Sequence, residues 1–208
     1  MIADPERRLA LVYARAADRP MLTLLWALDE RLGAIVAATR EEMLGQIRLA
    51  WWRDALAALE NGAPAGEPLL GELASAVQAG RFDAAMLGAL AEGWMALLEG
   101  GPLDAGTMAR FAEGRGATLF GLVAGKADPP GLVDAGAGWA LADLSRRTSD
   151  PAAATQAGVL AEARLKAASR CWPRELRPLA VMVALARTRG RHGAVRMARA
   201  IWAGMAGR

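Results

Sequence analysis

One cysteine, one histidine, one tyrosine and two lysines are all that 208 residues contain of those types, and each scarcity removes a class of function. A lone Cys171 rules out an internal disulfide and fits a reducing compartment. With only His192 and that one distant thiol, no zinc site of the usual composition forms, and no nucleophile triad finds its partners. Apolar runs are short. The best, residues 178–186, falls far below the ~20 residues of a bilayer-spanning helix. Asp4, Glu6, Arg7 and Arg8 interrupt the start, where a signal peptide would be apolar. A cytoplasmic protein is expected, with peripheral contact to an inner membrane left open.

What is abundant points to helices. Apolar residues make up 54% of the chain, led by alanine and leucine, while β-branched residues are few. An all-α single domain over residues 1–208 is predicted. Arginine supplies 23 of the 25 basic residues, with only Lys126 and Lys166 beside it, which reads as a codon-composition bias. The net charge of +3 hides an asymmetry. From residue 164 to the end, 11 basic residues stand against one acid, Glu175; the preceding part holds 14 basic and 21 acidic residues. Such an end either attracts an anionic surface or is a solvated face that balances the acidic part.

Punctuation along the chain divides it into eight to ten helices with short loops and no repeat. Asp4-Pro5-Glu6 opens the first, predicted to run to Ala17, with an Asp cap and Pro at the first helical position. Asp18-Arg19-Pro20 restarts the chain, and Thr39 with Glu42 has capping-box spacing for a third helix ending near Glu60. Residues 61–66 are a breaker loop. Helices are predicted at 68–79, 83–99, 104–125, 131–147 and 152–171, followed by closing helices to about 205. The 104–125 segment carries Gly114, Gly116 and Gly121, each costing ~1 kcal/mol relative to Ala, which close approach of another helix or a ligand would explain. Gly136-Ala137-Gly138 likewise reads as close packing rather than a phosphate loop, since no strand precedes it. Met43, Met86, Met95 and Met108 fall at helical core positions.

The segment Arg48-Leu49-Ala50-Trp51-Trp52-Arg53-Asp54-Ala55-Leu56 sets two adjacent tryptophans between two arginines. With residues 42–47 before it, with Asp4-Pro5-Glu6-Arg7-Arg8-Leu9-Ala10, and with Leu24-Leu25-Trp26-Ala27-Leu28, it resembles the squalene/phytoene synthase family. The likeness is strongest over residues 4–56, looser at 110–123 and 136–146, and nearest to the diverged subgroup that includes the mitochondrial respiratory complex I assembly factor and its bacterial relatives. The resemblance implies an isoprenoid synthase fold. Active members hold magnesium between two Asp-rich motifs, and the metal binds the diphosphate of a prenyl donor. Here the first motif falls on Gly33, Ala34 and Ala37, and the second falls near Asp143 with Arg147 where an Asp is expected. Asp29, Glu30, Asp143 and Asp150 are the remaining acids. Asp29 and Glu30 are adjacent, and so are not expected to share a helix face.

Each candidate has two readings. Trp51 and Trp52 point about 100° apart; either they pack, or one lines an apolar tunnel. Arg48 and Arg53 either grip a phosphate or pair with Glu41 and Asp54. Arg146 and Arg147 either hold a diphosphate without metal or are structural. His192, among Arg189, Arg191 and Arg196, reads as a solvated turn residue, and Cys171 as a buried thiol. The residues at Gly33, Ala34, Ala37 and Arg147 imply a non-catalytic protein with no cofactor and no metal, and the resemblance implies one that binds a prenyl diphosphate, isoprenoid or lipid, or works with a protein partner in respiratory-complex assembly. The alternatives are a magnesium-dependent head-to-head prenyltransferase and a helical protein whose basic end sits on a membrane. Nucleic acid is not expected, because no reading motif accompanies the charge.

Overall fold

The structure is a computed structural model that describes residues 2–64, 66–168, 171–188 and 193–207. His192, Arg189 and Arg191 lie outside the described residues. Those residues form helices and turns with no strand. The helices are α1 (Pro5–Val12), α2 (Arg19–Ala38), α3 (Glu42–Ala57), α4 (Pro68–Gln78), α5 (Ala84–Met95), α6 (Ala105–Phe111), α7 (Thr118–Ala124), α8 (Leu132–Arg147), α9 (Pro151–Ala167), α10 (Arg177–Arg187) and α11 (Gly193–Ala206). A π-helical segment, Ala112–Ala117, joins α6 to α7 in one continuous rod. No helix among the described residues is long and apolar enough to cross a membrane.

The Asp4 cap forms as its sequence predicts, accepting from the Glu6 and Arg7 N–H groups at 2.8 and 3.2 Å. α1 stops at Val12 rather than at Ala17. Tyr13 turns aside to lie on the backbone of Gly204 in α11, where a Cβ would stand 2.3 Å from its ring. The capping box at Thr39 does not form. The Thr39 hydroxyl donates back to the Ile35 carbonyl at 2.7 Å and closes α2, and α3 starts at Glu42 behind Glu41.

α8 is the central rod, packed on α9, α10 and the π segment; α5 packs on α3 and on the same π segment. Two glycine crossings bring these backbones together. A Cβ on Gly116 would lie 2.1 Å from the Gly136 carbonyl oxygen, and one on Gly114 would lie 2.6 Å from the Gly93 Cα. The glycines of the 104–125 helix thus serve helix contact. Trp26, Phe111, Phe120 and many leucines fill one continuous core. Two expectations of burial are corrected. Cys171 is exposed, and its neighbour Trp172 takes the buried position. Met43 stands 71% exposed on the outer face of α3, whereas Met108 is buried and Met86 and Met95 border the core.

Candidate functional site

Arg115 lies in the middle of the π segment, between Gly114 and Gly116, and its side chain is 1% exposed. The extra residue in the π turn rotates this position inward, a geometry often found at functional positions. Its guanidinium lies between the rings of Trp94 and Trp139, 4.2 and 4.6 Å from their centroids, with Phe111 at 5.4 Å. On one side it grips Asp29 of α2 through Nε and Nη2, at 3.0 and 2.9 Å. On the other, Nη1 lies 2.8 Å from Asp143 Oδ2 of α8, off the N–H axis, so that contact is chiefly electrostatic. One buried cation therefore joins two buried carboxylates from helices far apart in sequence.

Both carboxylates are saturated. Asp29 Oδ1 accepts from Trp94 Nε1 at 2.7 Å and from Arg115 Nε; Oδ2 accepts from Arg115 Nη2 and from Arg7. Asp143 Oδ1 accepts from Arg146 at 2.8 Å and Arg147 at 3.0 Å, and Oδ2 accepts from Arg147 beside the Arg115 contact. Each Asp29 oxygen accepts two hydrogen bonds, and the two Asp143 oxygens share the Arg147 Nε–H, with Arg146 on one and the Arg115 charge against the other, so both carboxylates are enclosed by cations. Burial alone would push Asp29 and Asp143 upward. The Arg115 charge, joined by Arg7 on Asp29 and by Arg147 and Arg146 on Asp143, outweighs it and holds both below the usual carboxylate range. The two carboxylates in turn raise Arg115 against the downward pull of its burial.

This donor set does not fit magnesium, which wants several oxygen ligands that are free or shared with water and phosphate. Among the described residues no group of three or more His, Cys, Asp or Glu is placed to hold a metal.

Above the cluster opens a cleft of about 1240 Å³, walled by α2, by residues 96–103, and by α6 with the π segment. Gly33, Ala34 and Ala37 line it, together with Trp94, Leu97, Leu103 and Phe111. Small side chains on α2 leave this space. At Gly33 a Cβ would already sit 2.9 Å from the Trp94 ring, so an aspartate there would displace the indole that bonds Asp29.

The other sequence candidates scatter. Glu30 lines the cleft, accepts from the Ala3 and Asp4 N–H groups at 3.0 and 3.1 Å, and lies 3.7 Å from Arg7. Asp29 and Glu30, expected on different faces, therefore meet on one guanidinium because Arg7 is long enough to span both. Asp150 is exposed, caps α9 through the Ala152 N–H at 2.8 Å, and does not line the cleft. Arg146 pairs with Glu6 at 2.9 Å as well as with Asp143, and Arg147 reaches Asp4 at 3.5 Å. Trp52 is buried and Trp51 is 48% exposed, edge to face at 5.6 Å. Both line a separate groove with Arg48, Arg31 and Ala34 rather than the α2 cleft, although Arg31 and Ala34 belong to both. Arg53 pairs with Asp54 at 2.8 Å, whereas Arg48 is exposed and pairs with neither Glu41 nor Asp54.

Sequence reading missed Arg7, Trp94 and, above all, Arg115. The one signal for Arg115 is an arginine set between two glycines on an otherwise apolar helix. No family model, no curated protein and no solved structure matches this chain in the three comparisons made.

Proposed function

We propose that this chain is a diverged isoprenoid-synthase-type protein that has given up catalysis and holds an isoprenoid or lipid chain in the α2 cleft. The observation that carries the reading is the bridge Asp29–Arg115–Asp143. Asp29 on the floor of a large cleft of mixed polar and apolar lining faces Asp143, buried behind it on another helix, as a metal-binding pair would, yet an internal guanidinium sits between them. An arginine neutralises the pair but offers no open coordination site and no Lewis acid for a leaving diphosphate. The cleft also exceeds the about 300–1,000 Å³ of ordinary small-molecule sites, enough for a long chain. A role in respiratory-complex assembly belongs to the same reading by resemblance alone.

The test is turnover. Purified protein incubated with farnesyl or geranylgeranyl diphosphate, with and without magnesium, is expected to release no diphosphate above background. Magnesium-dependent release would establish the prenyltransferase alternative instead.

A second reading concerns the surface, and one feature favours it. The outer face of α11 exposes Val195, Met197, Ile201, Trp202 and Met205, while no acid occurs after Glu175. An apolar helix face in a cationic region fits an anionic bilayer surface.

A further inference from the structure

Resting on the cleft-binding reading, we infer that the ligand of the α2 cleft is an apolar chain with an uncharged head group, a prenyl alcohol or a comparable neutral lipid, and not a diphosphate. The inference comes from where the cleft's cations are spent. Arg115 lies between Asp29 and Asp143. Arg7 is held by Asp29 with Glu30 beside it. Arg147 bonds Asp143 at 3.0 Å and reaches Asp4 at 3.5 Å. Arg31, toward the outer groove, bonds Glu67 at 2.8 Å. Every arginine that lines the cleft already carries a carboxylate, and Glu42 adds a further acid to the wall.

Backbone donors are taken as well. The start of α1 borders the cleft and would otherwise be an anion site, because free N–H groups and the helix dipole both favour negative charge there. Asp4 occupies the Glu6 and Arg7 amides, and Glu30 occupies those of Ala3 and Asp4. The protein's own carboxylates thus fill the positions that phosphate oxygens would use. To reach Arg7, Arg115 or Arg147 an incoming diphosphate would have to displace Asp29 or Asp143, both buried, and separating a buried pair is strongly unfavourable; Arg31 with Glu67 is the exposed pair. A neutral head group disturbs none of them, and the Thr107 and Thr148 side chains on the cleft wall can meet a hydroxyl or carbonyl.

The experiment is equilibrium dialysis of the full chain against farnesol and against farnesyl diphosphate, with Ala34→Trp as a variant that fills the cleft. Farnesol is expected to bind at least about tenfold more tightly than its diphosphate, and Ala34→Trp to abolish that binding. Tighter binding of the diphosphate would overturn the neutral-ligand inference while leaving the cleft a lipid site. Binding of neither, or farnesol binding untouched by Ala34→Trp, would overturn the cleft-binding reading itself. Glu30→Gln with Glu67→Gln supplies an independent arm. Both changes remove negative charge from the wall: Arg31 loses the charge of Glu67, Arg7 keeps Asp29 but loses Glu30 beside it, and one of the Ala3 and Asp4 N–H groups is freed because an amide has a single acceptor oxygen. Diphosphate affinity is expected to rise about tenfold with farnesol affinity unchanged. No gain for the diphosphate, in a variant with native circular dichroism, counts against the inference.

Discussion

At the scale of single residues the molecule turns on Arg115. A guanidinium with 1% exposure exists there only because two carboxylates and three aromatic rings surround it. Arg115→Met should leave Asp29 and Asp143 buried without their shared cation, at a cost of about 3–5 kcal/mol in urea unfolding. Arg115→Lys should fall between the two, since an ammonium keeps the charge but cannot fork to both acids. A loss below about 1 kcal/mol in Arg115→Met would mean that the cluster is not the structural keystone described here. The same pairs set an acid limit. Both aspartates titrate lower in the folded chain than in the unfolded one, so their stabilisation is complete above the unfolded value of about 3.9. It is lost as pH falls from there toward the native values. A melting-temperature series from neutral to pH 2 should drop below about pH 4, and Asp143→Asn, already less stable at neutral pH, should show a shallower drop. Parallel curves would remove Asp143 from that role. In the sequence these residues were partly legible. Asp29 and Asp143 stood out as acids left near the expected motifs, and Arg147, with Arg146 beside it, as the residue standing where an Asp is expected, but Arg115 did not. Its burial depends on a π turn that shifts the helical phase, and the apolar periodicity of the sequence does not announce it.

Among the elements, helix existence was legible, and helix ends chiefly where Pro or Gly marks them. Pro and Gly punctuation placed α4 and α8, and the starts of α5 and α9, close to their observed limits, while α5 ends at Met95 rather than 99 and α9 at Ala167 rather than 171. The failures came where tertiary contact outbid a local signal: Tyr13 leaves α1 to cover Gly204, and Thr39 turns back to Ile35 instead of forward to α3. Glycine use in the 104–125 helix was read correctly as a sign of close approach, although its partner was hidden. That partner is Gly136 for Gly116 and Gly93 for Gly114. A paired substitution tests this. Gly116→Ala would push a methyl into the Gly136 carbonyl at 2.1 Å, and α8 would have to retreat, at a cost of about 1–3 kcal/mol or more. Gly71→Ala, in α4 with nothing within 4 Å of the added carbon, should instead stabilise by about 0.4–1 kcal/mol through the lower entropy of its unfolded chain. Chemical denaturation of both variants decides the matter, and equal effects would deny the crossing its importance.

For the whole molecule, charge asymmetry and surface form belong together. The sequence disclosed that positive charge gathers after residue 164, but it did not disclose which helix face would remain uncovered. α11 packs on α10, its buried face is Ala200, Ala203 and Gly204, the last against Tyr13, and this inner face of small residues leaves the bulky ones outside. Trp202 is 56% exposed, with Ile201 and Met205 beside it and the exposed Arg199 on the flank. Insertion of such a face to headgroup depth gains apolar burial, and the cationic surroundings add attraction that salt weakens. Vesicle flotation separates the two contributions. Binding to vesicles containing phosphatidylglycerol is expected at about 50 mM salt and should fall steeply toward about 1 M, where the screening length shrinks to about 3 Å. Trp202→Glu should weaken it at least about tenfold at any salt, because a carboxylate replaces the anchoring ring. Arg199→Gln should weaken only the salt-sensitive part. Equal flotation on purely zwitterionic vesicles would leave the basic end as a solvated counterweight to the acidic remainder, and full binding by Trp202→Glu, or no flotation at all, would deny the α11 face its place in the bilayer.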